Sequence, residues 1–254
     1  MKLQLIRNAT LKLNYAGKII IIDPMLSNKG DFESFAGITQ NPIVDLQMSK
    51  NEILNNLDLV LVTHTHIDHF DPAAQQIIPK QLPLFCQPTD EDKIKASGFL
   101  NVIPIKTDVQ WENIHIHRTG GKHGSGEVLK QMGLVSGFVL QSDSEPTVYI
   151  VGDSILVEEV KNVLHQFIPD IIITNSGGAY MPGYEQTPIL MDEEQTLELV
   201  KLMPNSTVIA VHLEALDHCT VKRQSLREKA IENCIDSDCF LIPEDGQYIE
   251  LNKK

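Results

Sequence analysis

Thr63-His64-Thr65-His66-Ile67-Asp68-His69-Phe70-Asp71 follows directly on the apolar run 57–62 and puts three histidines and two aspartates into eight positions, 64–71. On an extended backbone alternate side chains share a face, so His64 and His66 project to the same side and can close on one ion. A helix turns ~100° per residue and would separate positions two apart, which is why helical metal motifs space their histidines four apart. The spacing therefore requires a strand end or a loop. Asp71 followed by Pro72 supplies an N-cap and a first-turn proline, so the sequence predicts a helix opening just after the cluster. A chance gathering on a polar loop would account for one histidine, but not for this density beside a core strand.

Around this stretch the chain reads as one domain covering residues 1–254. Its 42% hydrophobic content is ordinary for a globular protein with a sizeable core. No solenoid repeat, low-complexity tract or linker divides it. A formal charge of −13 and the lack of a basic stripe make a polyanion an awkward partner. Residues 1–7 lack a signal-peptide apolar region, and no apolar run approaches the ~18 residues of a membrane helix, so a soluble, cytoplasmic protein is expected. Cys86, Cys219, Cys234 and Cys239 form no CxxC pair and read as free thiols.

Strands are expected over 3–6, 10–15 and 18–22, with Ala16-Gly17 as a tight turn, then a long irregular segment over 25–48. A short helix capped by Ser49 leads into the strand before the cluster. Further strands are expected at 82–86, 101–105, 109–118, 137–141, 147–151, 170–174, 207–211, 239–242 and 247–251. Helices are expected at 90–96, 156–167, 193–203 and 223–233. Asp192 and Gln195 stand in capping-box spacing at the start of the third of these.

The order His-x-His-x-Asp-His is also a family signature, and on it the chain resembles the metallo-β-lactamase superfamily. The resemblance implies an α/β fold, a four-layer αββα sandwich with metals at the edge of its two sheets, and three further ligands just after strands. Three segments match. His123, in Thr119-Gly120-Gly121-Lys122-His123-Gly124, stands as the third histidine of the first metal site. Asp153, in Tyr149-Ile150-Val151-Gly152-Asp153-Ser154, stands as the bridging aspartate. His212, in Val208-Ile209-Ala210-Val211-His212-Leu213, is the last histidine of the second site. By that carry-over His64, His66 and His123 bind one ion, Asp68, His69 and His212 the other, and Asp153 spans both. His115 and His117 compete for the third position, but they share one face of an alternating strand and read as solvated. The glycines beside His123 favour it, because they let a loop approach an ion closely.

A nitrogen and oxygen donor set suits zinc first, then manganese or iron, and two divalent ions are expected. A bound cation lowers water's pKa towards ~7, so the expected reaction is hydrolysis. A metal-bound hydroxide oriented by Asp68, the catalytic residue, would attack a lactone, ester or phosphodiester of a small molecule. Superfamily reductases of the flavodiiron type carry glutamate where this chain has His66, which favours a hydrolase. A mononuclear iron oxygenase and an RNA-processing nuclease are the alternatives, the latter disfavoured by the acidic balance.

Asp23-Pro24, the glycines around His123, Asn175 before Gly177-Gly178 and the segment after His212 resemble the ascorbate-6-phosphate-lactonase-like branch. Asn175 and His218 are candidate substrate contacts. Their plainer readings are a glycine turn and a surface histidine beside Asp217. A sugar-phosphate lactone would want a cation, for which Arg118, Lys122 and Lys222 are at hand. No nucleic-acid or membrane partner is expected, and superfamily relatives are often homo-oligomers.

Overall fold

The structure, a computed structural model, describes residues 1–251. The opening meander forms as its alternation predicts: β1 (Lys2–Arg7), β2 (Thr10–Tyr15) and β3 (Lys18–Ile22) pair antiparallel. Ala16 and Gly17 turn the chain with φ of 51° and 76°, the left-handed pair that suits a two-residue hairpin. β4 (Leu59–Val62), β5 (Pro83–Cys86) and β6 (Asn101–Pro104) then add parallel strands. β14 (Tyr248–Glu250) closes the far side of this seven-stranded sheet, β14-β1-β2-β3-β4-β5-β6.

The second sheet repeats the plan with β7 (Asp108–Trp111), β8 (Ile114–Thr119), β9 (Gly137–Gln141), β10 (Val148–Ile150), β11 (Ile171–Asn175), β12 (Thr207–Val211) and β13 (Phe240–Leu241). Its seven strands run in the order β13-β12-β11-β10-β9-β8-β7. The stretch 109–118, expected as one strand, is two. Glu112, at φ 52°, turns the chain, and the segment folds into an antiparallel hairpin of β7 and β8.

The two sheets face each other across a core that includes Leu5, Leu13, Ile22 and Leu61 from one and Ile116, Phe138, Ile150 and Ile173 from the other. On the outer face of the first sheet Ile21, Val60 and Leu84 pack against Ile53 of α1 (Lys50–Leu54), Ala74 of α2 (Pro72–Ile77) and Ile94 of α3 (Glu91–Ala96). On the outer face of the second, Val139, Tyr149, Ile172 and Val208 meet α5 (Glu158–Phe167), α6 (Glu193–Leu202) and α7 (Arg223–Glu232) through Val160, Leu199 and Leu226. The layers are therefore αββα. β4 is covered on both sides, so all four of its residues are buried and its sequence is continuous rather than alternating.

One helix escapes the sequence reading: α4 (Gly126–Met132), with Gly133 beyond it at φ 75°. No helix among the described residues is long and apolar enough to cross a membrane.

Candidate metal centre

The residues singled out in the sequence converge where strands of both sheets end. His64 follows β4, His123 follows β8, Asp153 follows β10 and His212 follows β12. The turn after β4 is tight, with His69 and Phe70 both donating backbone N–H to the His66 carbonyl at 3.0 Å. Asp71 caps α2 by accepting from Ala74 N at 2.7 Å and also takes Ser27 N at 2.6 Å, which fastens the turn to the long loop after β3. Donor atoms of His64, His66 and His123 lie within 4.8 Å of one another, and those of Asp68, His69, Asp153 and His212 do so in a second group.

Four of the histidines are held through one ring nitrogen, and none of the four partners is itself one of the clustered donors. Nδ1 is 3.1 Å from Thr63 Oγ1 in His64, 2.8 Å from Asp23 Oδ2 in His69 and 2.7 Å from the Ile189 carbonyl in His123. In His212 it is 3.6 Å from Cys219 Sγ. Nε2 is thereby turned inward. Asp153 Oδ2 lies 3.1 Å from His69 Nε2, 3.4 Å from His123 Nε2 and 3.8 Å from His64 Nε2. His212 Nε2 lies 3.1 Å from Asp68 Oδ2 and 3.9 Å from Asp153 Oδ1. Asp153 thus faces both groups.

These donors fit divalent cations. His64 Nε2 is buried with no hydrogen-bond partner among the described residues, a costly state unless something else takes its lone pair. Burial by itself would raise the carboxyls of Asp68 and Asp153, yet His69 and His212 hold both well below the usual carboxylate range. Burial likewise opposes charge on His69 and His212. The surrounding carboxylates outweigh it, raising His69 well above its ordinary value and pushing His212 up to about 10. The second group therefore draws in positive charge, which protons supply when no metal does. Burial, reinforced by the neighbouring His69, drives His64 well below its ordinary value, and burial also lowers His123, so both stay neutral as ligands must.

A cavity of about 430 Å³ opens onto the cluster, with His66, Asp68, His123 and Asp153 at its floor. Phe35, Ile67, Met132, Met181 and Ile189 form largely apolar walls, and no lysine or arginine lines it among the described residues. His218 also lines it, buried and set edge-on to Phe35 at 4.9 Å between ring centroids. Burial pushes its imidazole down to about 4, so it is neutral at pH 7, and its Nδ1 has no partner. Asn175 is placed differently. Its amide nitrogen donates to Asp153 Oδ1 at 2.6 Å and it stands outside the cavity lining. The following Gly177 is required by close approach, since a Cβ there would stand 2.4 Å from the His212 carbonyl.

The cations expected near a phosphate stand outside the cavity lining. Arg118 donates to the Lys106 carbonyl and to Ser136 Oγ, Lys122 pairs with Glu159 at 2.9 Å, and Lys222 is exposed at the start of α7. Other residues of the site are not legible as such in the sequence. Asp23 accepts from Thr63 N and Thr63 Oγ1, both at 2.7 Å, besides holding His69. Asp217 gathers the loop that carries Phe35, accepting from Phe35 N at 3.0 Å, Asn41 Nδ2 at 2.8 Å and Ser34 Oγ. Met132 comes from α4, which Gly133 could have signalled as a helix stop.

A sequence model described as the Beta-lactamase superfamily domain matches residues 18–213. The UPF0173 protein YddR of Bacillus subtilis strain 168 is 37% identical over 253 residues, 97% of this chain and 98% of the relative. A crystal structure described as a possible metal-dependent hydrolase from Veillonella parvula DSM 2008 superposes with a TM-score of 0.95 at 35% identity, covering 99% of each chain. Another, isothiocyanate hydrolase from Delia radicum gut bacteria, superposes with a TM-score of 0.92 at 38% identity over 100% of both chains.

Proposed function

This chain belongs to the beta-lactamase superfamily and is a metal-dependent hydrolase, and from that premise we propose that it attacks the electrophilic carbon of a small uncharged molecule, an organic isothiocyanate foremost. The observation that carries this reading is the cavity, which joins the candidate metal ligands at its floor to apolar walls with no lysine or arginine among the described residues. An isothiocyanate has this character, an apolar R group ending in an electron-poor carbon. The similarity to the isothiocyanate hydrolase supports the same class. A phosphodiester or a sugar-phosphate lactone would bring negative charge against walls that carry no lysine or arginine among the described residues, and a chain of net charge −13 would not draw it in. An uncharged lactone or ester meets the same walls and is the second reading.

The site holds two ions in this account, one on His64, His66 and His123 and one on Asp68, His69 and His212, with Asp153 shared and zinc preferred to manganese or iron. The two donor groups and the position of Asp153 between them support it. Ions held there would supply an acidified water, its pKa brought towards ~7, and positive charge facing the electrons displaced from the carbon.

The net reaction is R–N=C=S + H2O → R–NH2 + O=C=S. Water adds to the carbon, the bond between carbon and nitrogen breaks, and both protons of the water pass from oxygen to nitrogen, leaving O=C=S with none. Asp68, held ionised, accepts a hydrogen bond from the water and sets its direction. His218, neutral and facing the same cavity, takes a proton from the attacking oxygen on one ring nitrogen and relays a proton to the substrate nitrogen, so the ring ends neutral as it began. Phe35, Met132 and Met181 pack the R group and exclude bulk water. Asn175 acts as a positioning residue that fixes Asp153. The test compares kcat/KM for benzyl isothiocyanate, an uncharged lactone or ester of similar size, and a phosphodiester. The reading expects the first to lead and the last to be inert, and a phosphodiester preferred over both uncharged substrates would overturn it.

A further inference from the structure

We propose that Asp108, His115 and His117 form a second, non-catalytic metal site on the outer face of the second sheet, taking a transition-metal dication such as Zn2+, Ni2+ or Cu2+. The alternation of β8 buries Ile114 and Ile116 in the core between the sheets and leaves His115 and His117 together on the other face. The strand reading alone makes them a solvated pair. The hairpin adds what the sequence spacing hides, because Asp108 on β7 lies directly opposite His117 in the register.

The three side chains already converge. Asp108 Oδ2 is 2.9 Å from His115 Nε2, the two imidazole centroids are 3.9 Å apart, and one donor atom from each residue lies within 4.8 Å of the others. Tetrahedral binding with metal–ligand bonds of ~2.0–2.1 Å sets donors about 3.3 Å apart, so small side-chain rotations close the site without moving the strands. His117 is braced against Phe167 of α5 at 5.0 Å between ring centroids. Burial, then the adjacent His115, lowers the His117 imidazole and keeps it in the neutral form a metal needs.

Two imidazoles and a carboxylate select zinc, nickel or copper over magnesium and calcium, which prefer all-oxygen sites. His115 and Asp108 remain 39% and 47% exposed, so water completes the coordination and the ion exchanges with solvent. Such an ion ties β7 to β8 at the open edge of the second sheet, where an unpaired strand is otherwise free to fray or to pair with another chain. β7 also carries Trp111, the only tryptophan of the chain, which stacks edge-on to Phe85 with ring centroids 6.1 Å apart.

Equilibrium dialysis of the full chain against micromolar zinc in excess magnesium tests this, with turnover measured on the same samples. The wild type is expected to bind one zinc per chain more than His115→Ala, whose turnover stays at the wild-type level. Loss of an outer-shell partner already costs roughly 10–100-fold in metal affinity, so Asp108→Asn, which removes a direct ligand, should weaken the extra ion at least about tenfold. Nickel should displace that ion, and Trp111 fluorescence should change on zinc addition in the wild type alone. Equal zinc counts in wild type and His115→Ala would overturn the proposal. So would a count that falls together with turnover, because His115 would then be acting on the fold.

Discussion

Replacing Asp23 by asparagine isolates the outer support of the metal centre, because the side chain is 1% exposed and reaches His69 Nδ1 at 2.8 Å without being one of the seven proposed ligands. Asparagine is the substitution of choice, since Asp23 sits at φ 46° and asparagine tolerates that left-handed backbone. The carboxylate holds three partners, Thr63 N and Thr63 Oγ1 at 2.7 Å each and the His69 ring. Hydrogen bonds to a charged group contribute about 1.5–3 kcal/mol each, and an amide keeps one acceptor while presenting an N–H to a group that wants an oxygen, so a stability loss on the order of 1–3 kcal/mol follows. Freed from Asp23, the His69 ring loses both its tautomer and its aim, and metal affinity should fall roughly 10–100-fold. Chelator competition on wild type and variant measures the affinity, and thermal unfolding without metal measures the stability separately. Wild-type metal affinity in Asp23→Asn would refute the claim that the outer carboxylate orients His69.

Asp68→Ala should cut turnover by at least about a hundredfold while far-UV circular dichroism stays that of the wild type, and undiminished turnover would contradict the role given to Asp68. Asp217→Ala frees Ser34, Phe35 and Asn41, so the loop that forms one cavity wall should loosen and KM should rise about tenfold, equivalent to ~1.4 kcal/mol, with kcat little changed. A fall confined to kcat would place Asp217 in the chemistry instead. In the metal-free protein His212 is pushed up to about 10 and His69 is raised well above its ordinary value, whereas histidine ligands must be neutral. Metal uptake at neutral pH therefore releases protons, and affinity falls as the pH falls. Calorimetry in buffers of different ionisation enthalpy reads the release, and an affinity constant between about pH 6 and pH 8 would contradict it.

The sandwich was legible because its signals are local. β4 reads as a buried strand from its own residues, α2 announces itself through Asp71 and Pro72, and two residues suffice for the hairpin at Ala16-Gly17. The candidate ligands were legible for a related reason: their types and spacing are constrained by the ion they would share. What stayed hidden depends on contacts remote in sequence. Asp23 enters the sequence reading only with Pro24 as a mark of resemblance, and only the fold brings it to His69, 46 positions along the chain. The long loop has no periodicity because Asp217, 182 residues beyond Phe35, supplies its order. His115 and His117 read as solvated because the turn at Glu112 that brings Asp108 to them lies within a stretch that looks like one strand.

The central claim is that the cluster's metal makes this chain a hydrolase of a small uncharged electrophile. The most direct measurement is amine release from benzyl isothiocyanate by protein stripped with chelator and then reloaded stepwise with zinc, with metal per chain determined in each sample. The account predicts no amine from the stripped protein and a rate that climbs with occupancy of the cluster. The stripped protein releasing amine as fast as the loaded one, or the loaded protein releasing none, would contradict it.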